Sequence, residues 1–257
     1  MKKFALNWLM AGMIFAALPV LPAKADEVVV AVATNFLLPA RKIAAEFEEG
    51  TGHSIVLVAG ATGKLATQIL AGAPFDVFLA ADQARPELLV ERQAAVPGSR
   101  FTYATSALVL WSRNSLPLTG TAFQTLDMVQ VSRLAMANPK LAPYGLAAQQ
   151  ALDRLGLLTG LSGRIVYGEN IGQTFAMAAS GNVTVGLVAK SQVSGLPDNQ
   201  QGHWIDVPEE LHEPILQDAV LIMRADRNAA ARMFMSFMKS DKVAGIVNRF
   251  GYGAARP

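Results

Sequence analysis

From residue 27 onward, short unbroken apolar runs alternate with longer stretches in which apolar residues recur every three or four positions. Residues 27–33 (EVVVAVA), 54–59 (SIVLVA) and 75–80 (FDVFLA) predict buried strands, and 36–49, 65–71 and 85–93 predict the helices that follow them. The pattern then restarts. Strands are predicted at 107–111, 133–137, 164–167 and 183–189, with helices at 121–127, 146–155 and 173–180. After a polar loop at 194–202, residues 215–223 (ILQDAVLIM) predict a last strand, and helices at 228–238 and 241–248 complete the chain. Continuous apolar strands interleaved with amphipathic helices mean βαβ units, hence an α/β protein with mostly parallel sheets flanked by helices. The restart without a flexible linker predicts two closely packed lobes, 26–106 with 215–257 and 107–214.

Composition narrows the class. Of 257 residues, 52% are hydrophobic and 16% charged, which excludes a disordered or low-complexity chain. Lys and Arg number 22 against 20 Asp and Glu, but the first 25 residues hold three lysines and no acid. The remainder carries 19 basic and 20 acidic side chains, so bulk charge offers nothing to nucleic acid. The absence of cysteine excludes a disulfide scaffold, a thiol nucleophile and a Cys-ligated metal.

The first 25 residues have the order of an export signal: Met1-Lys2-Lys3, an apolar core at 4–20, Pro19 and Pro22, then Ala23-Lys24-Ala25. The core is too short and too broken by proline to make a good membrane anchor, and no later segment offers ~18 uncharged apolar residues. The expectation is cleavage after Ala25 and a soluble, monomeric chain in a bacterial periplasm.

Common catalytic and metal patterns fail. His53, His203 and His212 lie far apart without a paired spacing, and solvated histidines are expected. Gly60-Ala61-Thr62-Gly63-Lys64 looks like a phosphate loop, but the spacing is short and Leu65 stands where Ser or Thr should hold magnesium. No G-x-S-x-G elbow is present, and the carboxylates are scattered.

What survives is a repeated junction in which a strand ends, small or hydroxylated residues follow and a helix begins. It occurs at Ala33-Thr34-Asn35, at Gly60-Ala61-Thr62-Gly63, between Asn138 and Gly145, and at Gly168-Glu169-Asn170-Ile171-Gly172. Each leaves free N–H groups and a partial positive charge, and in open α/β sheets ligands bind at the carboxyl ends of strands. At ~+0.5 charge per helix start, four offset roughly a dianion without Lys or Arg. Ordinary N-caps are the better account of any single junction, and it is the combination that shifts the balance.

A resemblance goes further. Ala31-Val32-Ala33-Thr34-Asn35 resembles the first ligand loop of the periplasmic molybdate-binding proteins, solute receptors of ABC importers. Residues 59–65 (AGATGKL), Gln68-Ile69 and 71–78 (AGAPFDVF) resemble that family's S-[ST]-x-L-x-x-Q-I-x-x-G-A-P-x-D-[VL]-F signature, extended by Ala80-Ala81-Asp82. Asn138-Pro139 with Pro143 and Gly145, then Glu169-Asn170-Ile171, and finally Arg249-Phe250-Gly251-Tyr252 are similar to later family segments, in order.

The resemblance implies a two-lobed type II periplasmic binding protein fold, no enzymatic activity, no cofactor, molybdate or tungstate as ligand, and an ABC permease as partner. It places the ligand on Thr34, Asn35, Thr62, Tyr144 and Ile171, through the two hydroxyls and through backbone N–H groups. Molybdenum is then held as its oxyanion at these residues, without a cation site. Many members carry a tyrosine donor after G-[IL]-V, but here Gly186-Leu187-Val188 precedes Ala189 and Lys190. The Asn35 amide is a candidate replacement. Glu169 is expected to point away and help cap its helix. Molybdate and tungstate offer only acceptors and suit donors alone, whereas protonated phosphate needs an acceptor. Rival readings are a receptor for sulfate or another oxyanion, an anion sensor or adhesin, and a hydrolase using Thr34 or Thr62. The last lacks an evident base. N-terminal sequencing of exported protein is expected to begin at Asp26; an intact Met1 refutes the cleavage.

Overall fold

β1 (Glu27–Ala33) is apolar at almost every position because helices cover both of its faces. Val28, Val30 and Val32 join a core with Phe36, Ile43 and Phe47, while Ala31 on the opposite face meets Leu65, Ile69 and Phe78. The computed structural model describes residues 26–253 except 121, 128 and 198; the expected leader, 1–25, lies outside the described residues.

Two five-stranded sheets form the two lobes. The first runs β2 (Ser54–Gly60), β1, β3 (Val77–Leu79), β10 (Ile215–Leu221), β4 (Phe101–Ser106). Helices α1 (Leu37–Thr51), α7 (Ala229–Phe237) and α8 (Asp241–Arg249) pack on one face, α2 (Thr62–Leu70) and α3 (Ala84–Glu91) on the other. The second runs β7 (Ile165–Gly168), β6 (Leu134–Ala137), β8 (Val185–Ala189), β5 (Leu108–Ser112), β9 (His203–Asp206). There α4 (Pro143–Arg154) packs with Leu134, Met136 and Leu187, while α5 (Ile171–Ala179) and α6 (Lys190–Val193) bring Ala178 and Val193 against Val109 and Trp111.

Both sheets are mixed rather than simply parallel. β10 runs antiparallel between β3 and β4, and β5 runs antiparallel between β8 and β9. In each, four strands share a direction and one opposes them. β4 and β9, absent from the sequence-based expectation, are edge strands whose mixed exposure (FTYATS, HWID) leaves no continuous apolar run. The helix expected at 121–127 is a single 3₁₀ turn, Phe123–Thr125. No helix among the described residues is long and apolar enough to cross a membrane.

Within the family-like signature, Asp76 is architectural. The Val29 N–H donates to its Oδ2 (2.8 Å) and Arg224 Nη1 donates to its Oδ1 (2.6 Å), tying the approach to β3 onto β1 and the chain beyond β10.

Several helices start two or three residues earlier than the apolar periodicity indicates: α2 at Thr62, α4 at Pro143 and α5 at Ile171. The seat of α4 depends on Gly145, where a Cβ would lie 2.2 Å from the Ala137 carbonyl oxygen at the end of β6. Gly145→Ala therefore forces the helix start off its strand. Overpacking of this kind costs about 1–3 kcal/mol. A thermal midpoint lower by several degrees is expected in calorimetry, and an unchanged midpoint refutes the close seat.

Candidate functional site

The four strand-to-helix junctions meet around one cavity between the lobes. Its wall is made by Ala33, Thr34 and Asn35 after β1, by Gly60, Ala61 and Thr62 after β2, by Ala142, Pro143 and Tyr144, and by Asn170 and Ile171 after β7. Ala81, just past β3, completes it. All five residues placed by the family resemblance, Thr34, Asn35, Thr62, Tyr144 and Ile171, line this one space. Its cavity volume is only about 10 Å³, against roughly 300–1,000 Å³ for pockets that take drug-sized organic molecules. Only a compact occupant fits.

Three of the four helix starts at this cavity lack a side-chain cap, as do some starts elsewhere, such as α3 after Gln83 and α6 after Ala189. The N-cap residues are Ala33 before the 3₁₀ turn Thr34–Phe36, Ala61 before α2 and Ala142 before α4, and none provides a side-chain cap. Alanine is a poor N-cap, about 0.5–2 kcal/mol worse than Ser, Thr, Asn or Asp. Of the four, α5 alone is capped in the usual way, by Asn170 Oδ1 accepting from Gln173 N–H (2.9 Å), as Asn228 and Ser240 cap α7 and α8 elsewhere. Gly63 N–H donates to Leu141 O (2.9 Å) and Gly172 N–H to Thr34 Oγ1 (3.3 Å). The first-turn N–H groups of Thr34, Asn35, Thr62, Tyr144 and Ile171 have no acceptor within their own helices.

The threonine hydroxyls are held ready to donate. Thr34 Oγ1 accepts from Gly172 N–H, and the buried Thr62 Oγ1 accepts from Ala81 N–H (3.2 Å), so each hydroxyl hydrogen remains for another acceptor. Asn35 behaves differently from the expectation. Its amide nitrogen donates to Gln217 Oε1 (2.9 Å) and to Tyr252 Oη (3.2 Å), which uses both amide hydrogens. The side chain therefore does not replace the missing family tyrosine; what Asn35 offers the cavity is its backbone N–H. Tyr144 likewise sends its hydroxyl to Ser106 at the end of β4. Ala189 is fully buried, and its N–H donates to Gln192 Oε1 (3.0 Å).

No charged residue lines the cavity. Glu169 turns away as expected, but it caps nothing: its carboxylate pairs with Lys64 at 3.7 Å, between the start of α2 and the turn before α5. Both partners are largely exposed, so the pair contributes little to stability. Burial raises the Asp82 carboxyl above its ordinary value, while Arg85 beside it pulls the other way. Burial also pushes the Tyr103 and Tyr144 phenols well above theirs; the Ser106, Asn35 and Gln217 side chains partly oppose this at Tyr144. His212 departs from the solvated expectation: it is buried, with Nδ1 2.8 Å from the Glu213 carbonyl. His53 accepts from the Asp26 N–H and stacks on Phe47. Neither histidine lines the cavity, and neither threonine there has a base within it.

Nothing in the residue pattern marked Gly63 and Gly172 as contacts between the lobes. A Cβ on Gly63 would lie 3.0 Å from Leu141 O, and one on Gly172 3.3 Å from Thr34 Cβ. Glycine at a helix start is too common to single out either position.

Comparison with known proteins gives the same direction. Residues 28–253 match the bacterial extracellular solute-binding protein family. The molybdate-binding protein ModA of Rhodobacter capsulatus is 44% identical over 234 residues, covering 90% of each chain. ModA of Azotobacter vinelandii is 42% identical over 231 residues, covering 90% of this chain and 91% of its own. The solved periplasmic molybdate-binding protein of Azotobacter vinelandii aligns with a TM-score of 0.83 at 38% identity, over 89% of this chain and 100% of that one. The chain thus belongs to the bacterial extracellular solute-binding protein family, among the ModA proteins, and is a solute receptor rather than an enzyme.

Proposed function

We propose that this chain binds molybdate or tungstate in the periplasm and delivers it to an ABC-type permease. The ligand is held by Thr34, Asn35, Thr62, Tyr144 and Ile171, between a lobe of residues 26–106 with 215–257 and a lobe of 107–214. The mature protein acts as a monomer after loss of residues 1–25. The observation that carries this reading is the set of helix starts whose N-caps are alanine, converging on a small cavity with no carboxylate. Uncapped donors around an uncharged wall suit a fully deprotonated tetrahedral oxyanion. The relatives named ModA support the choice among such anions.

Size and protonation then set selectivity. Sulfate has the same charge and acceptor geometry as molybdate but shorter bonds. Gly63 and Gly172 already hydrogen-bond across to Leu141 O and Thr34 Oγ1, leaving the lobes little room to draw closer, so a smaller anion leaves donors stretched. Each unpaired buried donor costs ~1–3 kcal/mol, and two such losses give about a hundredfold discrimination or more. Phosphate near neutral pH brings a proton that finds no acceptor. Calorimetry is expected to give similar affinity for molybdate and tungstate, much weaker binding of sulfate and negligible binding of phosphate; equal affinity for sulfate and molybdate refutes the size-matched cage. Affinity is expected to stay flat from about pH 6 to 9, because no ionisable side chain lines the cavity except the Tyr144 phenol, held neutral by a raised pKa. The sign for stability follows from the same shift. The buried phenols stay neutral while an unfolded chain ionises near 10, so their contribution is full below about pH 10 and falls above it.

Binding to the native state alone raises stability by ~4 kcal/mol at a thousandfold excess over Kd. Thr62→Ala removes a hydroxyl donor and is expected to weaken the thermal shift given by molybdate. Lys190, paired with Asp206 at 2.9 Å, lies outside the cavity, and Lys190→Ala is expected to leave the shift intact. The reverse pattern in a thermal-shift titration overturns the site.

A further inference from the structure

Behind the cavity lies a buried polar cluster drawn from both lobes and from the segments that pass between them. Asn35 comes from the turn after β1, Gln217 from β10, Ser191 from α6 and Tyr252 from the tail after α8. Tyr252 is its centre. Its hydroxyl donates to the Asn35 carbonyl oxygen (2.6 Å) and accepts from the Asn35 amide (3.2 Å) and from Ser191 Oγ (3.0 Å). One phenol therefore ties Asn35, in the cavity wall, to a helix of the opposite lobe. The ring is itself fixed, edge-on to Phe36 at 5.3 Å, and the next residue, Gly253, exchanges two backbone hydrogen bonds with Thr105 on β4.

The cluster is well connected but not fully satisfied. Asn35 Oδ1 and Gln217 Nε2 are buried without a hydrogen-bond partner. A half-satisfied buried network costs free energy that an apolar core would not. It does supply position, and two contacts on the Tyr252 hydroxyl fall on Asn35.

We infer that Tyr252 is a positioning residue for the ligand: by joining Asn35 to Ser191 it holds the lobes together and sets how long the anion stays. The inference rests on the oxyanion reading above. Tyr252 does not line the cavity, so its effect belongs in the dissociation rate rather than in the choice of anion.

The test uses the mature protein with molybdate, measuring Kd by calorimetry and dissociation by chasing radiolabelled molybdate with unlabelled anion. Tyr252→Phe keeps the ring against Phe36 and removes only the hydroxyl. It is expected to release molybdate about five- to twentyfold faster with little change in association rate, as loss of neutral hydrogen bonds implies. Ser191→Ala is expected to act in the same direction. The double variant should lose less than the product of the two single effects, because both remove the same bond. The molybdate-to-sulfate ratio should not move in any of them. Lys190→Ala, in the same short helix, is the control expected to match the wild type. Wild-type dissociation in Tyr252→Phe, a loss in association rate alone, or strictly multiplicative effects in the double variant overturns the inference and leaves the site standing. A wild-type chain that takes no molybdate overturns both.

Discussion

The hydrogen bonds that a helix start cannot make to itself are the material of this cavity. An oxyanion bound without a counter-cation needs several N–H dipoles aimed at one point, and such dipoles serve only if they cannot relax. Much of the fold holds them still. β1 and β2 run parallel in register from Glu27 and Ser54 to Ala33 and Gly60, so their carboxyl ends deliver two helix starts side by side. β6 and β7 do the same from the other lobe, ending together at Ala137 and Gly168. Gly145 lets α4 sit directly on the end of β6, and Asp76 locks the neighbouring strands of the first sheet.

The legible and illegible parts of this arrangement divide for physical reasons. β1, β3 and β8 are buried on both faces and announce themselves as apolar runs. β4 and β9 lie at sheet edges, half exposed, and leave no such trace. The first turns of α2 (Thr62-Gly63-Lys64), α4 (Pro143-Tyr144-Gly145) and α5 (Ile171-Gly172) are too short and mixed to carry a helical hydrophobic period, so those helices begin before their periodicity does. The candidate ligand residues sit in that interval. Their order along the chain was readable, but the direction of their side chains was not. Asn35 illustrates this: its backbone and its amide face opposite ways, and only tertiary contacts with Gln217 and Tyr252 decide which group meets the cavity.

Two of the cavity residues are thus double-ended. Asn35 and Tyr144 present main chain to the cavity and extend side chains toward the segments that connect the lobes, at Tyr252 and Ser106. They join the cavity wall to Tyr252 and Ser106 with no charged group in the linkage. The cross-lobe contacts at Gly63 and Gly172 are also uncharged, leaving the exposed Lys64–Glu169 pair as the one contact of this set that salt can screen.

The alanines at 33, 61 and 142 have a consequence for how such a protein can change. A helix start with alanine at its cap is an unfinished one, and serine or aspartate there is a standard route to a more stable protein. At these three positions the improvement would be satisfied from within: the new side chain would occupy the donors that now face the cavity, and aspartate would add a charge of the wrong sign. Selection for robustness and selection for uptake therefore pull against each other at residues that are chemically blank. The site is recorded in the sequence as a set of repairs never made.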